Sequence, residues 1–142
     1  MVYIWVIPTS NWKGQIATTK AQMRALELGY VPSIPIMDCR YDLVLDDGKK
    51  LWRVQVKYGD MQLANSVGAI GVRLSYETRG RRRVYTYSQQ EVDSLVVYIP
   101  KIDRVCWFPC DTFIGKHELV IRLNPPLNSQ KAKILYAHDY FW

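Results

Sequence analysis

Acid, histidine and cysteine are the scarce chemistry of this 142-residue chain. Thirteen aspartates and glutamates stand against nineteen lysines and arginines, a formal charge of +6 and a pI near 9.3. A surplus of that sign favours polyanionic partners such as nucleic acid. There are two histidines, His117 and His138, and neither has a nearby partner for nucleophilic catalysis. The cysteines number three, Cys39, Cys106 and Cys110. An odd count without a secretory leader argues for reduced thiols rather than a disulfide framework. No apolar run approaches the roughly 20 residues that a membrane helix needs, so no membrane partner is expected. A glycine-rich phosphate loop, an internal repeat, a linker and a low-complexity segment are all missing. The opening "MVYIWVIPTS" is apolar but has no basic leader and contains Pro8. It reads as a first strand rather than a signal peptide, which makes a cytoplasmic location the expectation.

What is present is a globular composition, 49% apolar and 23% charged, in a length that suits one domain with a real core. After Ser10 and Asn11, either suited to cap a helix, Ala17, Ala21, Ala25 and Leu28 recur at helical spacing. Small residues on that face predict a helix lying close against a sheet, ended by Gly29. The two prolines of "YVPSIPI" predict an edge strand or an irregular entry to the sheet. "DLVLDD" and "KLWRVQVKY" read as strands, and Asp47 followed by Gly48 is a strong hairpin signal. "GAIGVRLSYE" alternates as a half-buried strand, and "TRGRRRVYTY" turns at Gly80 and returns. Ser88 with Glu91 three residues on predicts a capping box opening a short helix. "VVYIP", "DRVCWFPC" and "ELVIRL" read as further strands, and "NPPLNSQKAK" as a loop.

In "LWRVQVKY", alternation puts Leu51, Arg53, Gln55 and Lys57 on one side and Trp52, Val54 and Val56 on the other, the core side. The hairpin turn brings Asp42 alongside. A carboxylate, an amide and an amine together suit phosphodiester hydrolysis. Asp42, Gln55 and the Val56 carbonyl offer oxygen to a hard cation such as Mg²⁺, and Lys57 orients water or offsets developing charge. On spacing alone the signal is weak, and an exposed strand face with ordinary polar side chains is the favoured reading.

The combination "YDLV…RVQVK", preceded by "KGQIA" and "GYVPSIP" and followed by "YSQQEVDSLVVYIP" and "DRVCWFP", resembles the PD-(D/E)XK nuclease superfamily. It is most similar to the group I intron-encoded homing endonucleases of that superfamily. The likeness covers residues 12 to 142. It implies an α/β, restriction-endonuclease-like mixed sheet flanked by helices, as a single domain over residues 1–142. It implies Asp42, Gln55 and Lys57 as catalytic residues, and Asp42, Gln55 and Val56 as holders of Mg²⁺, with Mn²⁺ as a substitute. One position departs: where the family's helix usually carries a glutamate, this chain has Thr18. A hydroxyl does not replace a charged ligand, so weaker metal affinity is expected.

Arg79, Arg81, Arg82 and Arg83 surround Gly80 near the tip of an expected hairpin spanning about residues 69–87. Such a ribbon fits the major groove, where arginine pairs with guanine. Arg73 and Ser75 are the next candidates for DNA contact. A zinc site built from Cys106, Cys110, His117 and His138 is disfavoured, because Cys106 sits in an apolar strand where cysteine behaves as a small hydrophobe.

The expectation is thus a site-specific, divalent-metal-dependent double-strand DNA endonuclease of the homing type, acting as a homodimer or homotetramer on duplex DNA. The alternatives are a catalytically disabled DNA-binding protein on the same fold and a Holliday-junction resolvase.

Overall fold

The computed structural model describes residues 9–77, 84–128 and 132–142. The expected first strand and the four arginines at the hairpin tip fall outside them.

Helix α1 spans Ser10–Glu27 and buries Ala17, Ala21 and Ala25 completely or nearly so. Methyl groups there let the helix axis approach the sheet closely. Its cap differs from expectation: Thr9 holds the N-cap position and no side chain caps the first turn. Leu28 also leaves the buried face, because it follows the last helical turn and is exposed. Gly29, at φ +85°, ends the helix as expected.

The main sheet has five strands in the order β1 (Val31–Ser33), β2 (Leu43–Asp46), β3 (Leu51–Tyr58), β8 (Ser94–Ile99) and β9 (Arg104–Pro109). β1 is the edge, as its proline requires. Gly48 turns the β2–β3 hairpin at φ +87°. The β3–β8 pair is parallel and the other pairs are antiparallel, so the sheet is mixed.

One face of that sheet carries α1, over a core of Leu43, Leu45, Val54, Val56 and Val96. The opposite face is covered by a second sheet in the order β10 (Glu118–Arg122), β5 (Ala69–Arg73) and β4 (Met61–Gln62). Ile70, Val72, Leu119 and Ile121 from these strands meet Leu95, Val97, Ile99 and Phe108. Period-2 reading assigned a single core face to β3. In the structure Gln55, on the other face, is buried as well, 8% exposed against 6% for Val56, and Lys57 beside it is half-buried.

Two further elements depart from expectation. The strand foreseen from residue 69 to 77 breaks at Leu74–Ser75. Its end, β6 (Tyr76–Glu77), leaves to pair with β7 (Val84–Tyr85) as a separate ribbon. Ser88 and Glu91 form one half of a capping box: the Ser88 amide and hydroxyl both donate to the Glu91 carboxylate, at 3.0 and 3.2 Å, while the Glu91 amide donates to the Ser88 carbonyl rather than to its hydroxyl. The turn does not propagate into a helix, because Asp93 is tied to Arg53 and the chain enters β8 at Ser94. A short helix, α2 (Cys110–Phe113), was not foreseen. The tail ends in one 3₁₀ turn, Ala137–Tyr140.

Gly59 follows β3 where the two sheets meet, its amide donating to the Tyr98 carbonyl at 2.7 Å. A Cβ there would lie 2.8 Å from Val97 Cγ1 and 3.0 Å from Ile70 Cδ1. Gly59→Ala is therefore expected to cost about 1–3 kcal/mol of stability by overpacking. Urea unfolding checks it: the midpoint should fall while the slope holds.

Candidate active site

The hairpin register sets Leu43 opposite Val54, which places Asp42 beside Gln55 just before β2 begins. The Asp42 amide donates to the Val54 carbonyl at 2.8 Å, which anchors the residue to the sheet. Its Oδ2 then accepts from Gln55 Nε2 at 2.7 Å and from the Val56 amide at 2.8 Å. The same Gln55 nitrogen lies 3.3 Å from the Val56 carbonyl. A carboxylate, an amide and a main-chain carbonyl thus converge on one point. Burial pushes the Asp42 carboxyl above its ordinary pKa, opposed by the Val56 hydrogen bond and by the charge of Lys57.

Lys57 lies two residues further along the same face. Its ammonium stands over the ring of Tyr87, 5.6 Å from the centroid, a cation–π arrangement. Among the described residues no carboxylate forms an ion pair with it. Desolvation draws its pKa below the ordinary lysine value, and the Asp42 charge resists this.

These groups open into a cleft of about 840 Å³. The N-terminal half of α1 forms one wall, with Ser10, Asn11, Gly14 and Thr18 facing Asp42, Gln55, Val56 and Lys57 on the other. The first turn of the helix carries no acidic residue, so its positive end is available to an anion. Thr18 lies in this wall, but its hydroxyl donates to the Gly14 carbonyl at 3.0 Å. Asp38 and Asp60 also line the cleft, and Asp60 is bridged to Lys13 at 2.5 Å. The sequence reading had overlooked both. Only their spacing near "RYD" and "VKYGD" hinted at them.

Oxygen donors of this kind suit a hard divalent cation that keeps several waters. Among the described residues no group of three or more His, Cys, Asp or Glu side chains gathers to hold a metal. At the point where Gln55 and the Val56 carbonyl converge the donor set is one carboxylate, Asp42, beside neutral oxygens, with Asp38 and Asp60 elsewhere in the cleft lining. It fits a weakly held ion of the Mg²⁺ class.

Behind the cleft, Arg53 ties β3 to the segment that returns from the ribbon. Its Nε donates to Asp93 Oδ2 at 3.1 Å, and its Nη2 lies 3.1 Å from Asp93 Oδ1. This partner holds the Asp93 carboxyl below its usual range. Tyr87, which covers Lys57, is itself held through its carbonyl, which accepts from the Gly115 amide at 3.2 Å. Arg73 is exposed at the end of β5, and Ser75 is half-buried in the step to the ribbon. Arg79, Arg81, Arg82 and Arg83 belong to the undescribed stretch between β6 and β7.

A profile of the PD-(D/E)XK endonucleases matches residues 9–142. The chain belongs to this family. A solved structure, that of the bacterial homing endonuclease I-Ssp6803I, superposes with a TM-score of 0.74 at 29% identity. The match covers 94% of this chain and 89% of that one. No curated protein sequence matches. The five-stranded mixed sheet with α1 against it agrees with the family fold, and family membership makes the protein a DNA endonuclease by class. Among the described residues no helix is long and apolar enough to cross a membrane.

The cysteines do not form a metal centre. Cys106 is fully buried, its thiol donating to the Ala137 carbonyl at 3.7 Å, and burial pushes its pKa up to about 12. The Cys110 thiol donates to the Asp93 carbonyl at 3.0 Å and is also shifted upward, chiefly by burial. Cys39 is exposed. In the native protein at pH 8, Ellman's reagent is expected to modify Cys39 promptly and to reach Cys106 only after unfolding.

Proposed function

We propose that this chain is a site-specific, Mg²⁺-dependent endonuclease of the homing type that cuts both strands of duplex DNA as a symmetric oligomer. The observation that carries the reading is the convergence of Asp42, Gln55 and the Val56 carbonyl beside Lys57, in a cleft closed by a helix N-terminus. Asp42, Gln55 and Val56 would hold the cation, Gln55 turning its amide to present oxygen. When bound, the ion supplies an acidified water and offsets phosphate charge. The chain does the rest. The first turn of α1 draws the scissile phosphate into the cleft, Asp42 orients its end of the site, and Lys57 offsets charge developing on the phosphate oxygens. Arg73, Ser75 and the ribbon arginines Arg79, Arg81, Arg82 and Arg83 contact DNA, and those that reach guanine edges select the target. One catalytic site per chain cuts one strand, so two copies and a pseudo-palindromic target follow. Mn²⁺ substitutes for Mg²⁺.

The test is cleavage of DNA from the source organism with Mg²⁺, followed by sequencing of the new ends, beside Lys57→Ala. Ends gathered at one locus, and lost in the variant, are expected. Ends scattered over the genome would remove the claim of site specificity.

The second reading is a binding protein that has lost its chemistry. Thr18, whose hydroxyl is committed to its own helix, favours it. That reading predicts tight binding of the same locus with no cleavage at any metal concentration.

A further inference from the structure

An ion pair spans the cleft described above. Lys13 stands in the first turn of α1 and Asp60 follows the end of β3; both line the cleft. The Lys13 ammonium donates to Asp60 Oδ2 at 2.5 Å across forty-seven residues of sequence. It also stands over the Tyr58 ring, 5.7 Å from the centroid. The hydrogen bond to Asp60 raises the Lys13 pKa, so the charge is present throughout the neutral range. The pair is open to water, its side chains 36% and 39% exposed. Pairs of that kind hold weakly, because solvent screens them and two mobile side chains lose freedom.

The charge balance of the cleft gives the pair a use. Among the described residues, its lining sets Lys13 and Lys57 against Asp38, Asp42 and Asp60. Carboxylates outnumber ammonium groups there, in a chain that carries +6 as a whole. A polyanion is repelled at such a point unless positive charge is released to meet it. Lys57 is half-buried beneath Tyr87. Lys13 is the water-exposed lysine of the lining, and Asp60 cancels its charge.

We propose that Lys13 is a phosphate-binding residue of the cleft, which exchanges Asp60 for a backbone phosphate as duplex DNA enters. In the free protein Asp60 stands in for that phosphate and holds the ammonium at the site. Lysine suits the exchange, being a compact charge on a flexible stem. Duplex DNA offers one negative charge per roughly 1.7 Å of its axis, and the released Asp60 stays hydrated. The exchange rests on the endonuclease reading for its polyanion alone. A phosphate contact carries no sequence information, so a duplex of any sequence tests it.

The fold supplies a control. Two turns along α1, Lys20 Nζ meets Asp103 Oδ1 at 2.9 Å and stands 5.2 Å from the Tyr98 ring centroid. The chemistry is the same, but neither Lys20 nor Asp103 lines the cleft. Asp103→Asn therefore measures the gain in binding that lost negative charge brings by itself.

Anisotropy of a labelled duplex in EDTA, from about 50 to 200 mM salt, reads the exchange without cleavage. Lys13→Ala is expected to bind about 3- to 10-fold more weakly at low salt, with the slope of log K against log salt shallower by about 1. Lys13→Arg, which keeps the charge, should keep the slope. Asp60→Asn is expected to bind about 2- to 5-fold tighter, the strength of an exposed pair, and tighter than Asp103→Asn. That gain should fall below about twofold once Lys13 is alanine, because no pair is left to break. Variants of Lys13 and Asp60 that both weaken binding would make the pair a structural strut and overturn the proposal. An Asp60→Asn gain of equal size with and without Lys13 overturns it as well, since Asp60 would then act by repulsion. So does an unchanged salt slope in Lys13→Ala. A wild-type chain that binds no duplex overturns it together with the endonuclease reading. The expected pattern in a chain that cuts no DNA leaves the exchange intact and removes that reading; cleavage at one locus with Lys13→Ala binding as wild type does the reverse.

Discussion

Lys57→Met is expected to make the protein more stable and nearly inert. The side chain is mostly buried, its charge faces only the ring of Tyr87 and the neighbourhood of Asp42, and desolvation draws its pKa down. A thioether of similar length removes the buried charge while keeping the packing, a gain on the order of 1 kcal/mol. The cation that offsets phosphate charge goes with it, and cleavage should fall by about 10²–10³. The gain depends on pH with a definite sign. Because the folded-state pKa lies below the ordinary lysine value, the unfolded chain binds more protons between the two values, and wild-type stability rises with pH across that window. The advantage of methionine is therefore full at neutral pH and shrinks as pH climbs toward the ordinary lysine value. Urea unfolding of both proteins at pH 7 and at pH 10 measures it. An equal gap at the two pH values, or a destabilised variant, would contradict the assignment of Lys57 as a strained cation.

Thr18→Glu is expected to tighten Mg²⁺ binding by about 10- to 100-fold, the size of effect that supporting groups have on metal sites. Thr18 faces the cleft from the wall opposite Asp42, and its hydroxyl is spent on the Gly14 carbonyl. A glutamate at this point of the helix reaches further and adds a second carboxylate to a site that now has one converging on the Gln55 amide. Calorimetric titration with Mg²⁺ or Ca²⁺ reads the change directly, and the rise of Tm with added metal should grow in step. Cleavage is expected to reach its maximum at lower Mg²⁺. An unchanged metal affinity would mean that the helix wall does not address the ion at all.

The parts of this architecture that a sequence reader recovers are the local ones. Asp47 followed by Gly48 announces the hairpin because a two-residue signal suffices, and the hairpin alone brings Asp42 to Gln55. The alanines of α1 disclose their buried face because helical period and residue size agree. What escapes is set by distant chain. Nothing in "LWRVQVKY" reports that the face bearing Gln55 and Lys57 is also covered, with Tyr87 lying over the Lys57 ammonium. Alternation reads one covered face and stops there. The break after Arg73 escapes for a related reason: the apolar alternation continues through Tyr76, but its end pairs with β7 rather than with β10. Ser88 and Glu91 form their local contact, and the longer helix fails because Arg53, thirty-five residues upstream of Ser88, claims Asp93. Tyr87 as the cover of Lys57, and Asp38 and Asp60 in the cleft, are likewise products of tertiary placement.

Strand β3 pairs on one side with β2 and on the other with β8, and these partners differ in distance along the chain. Asp42 and Gln55 are thirteen residues apart, joined by one tight turn. Lys57 lies opposite Val97 in the parallel register, and Tyr87 arrives thirty residues after it. Closing the shorter loop takes less entropy than closing the longer one, a difference of about 0.7 kcal/mol, and non-local contacts are gained only after that cost is met. The two halves of the site thus depend on loops of different length. Its acidic corner belongs to a hairpin able to form early, even on a growing chain. The lysine acquires its dry environment only when the ribbon segment and β8 have docked. The carboxylate and amide of the site are thus neighbours by local sequence, whereas the lysine's surroundings are drawn from distant chain.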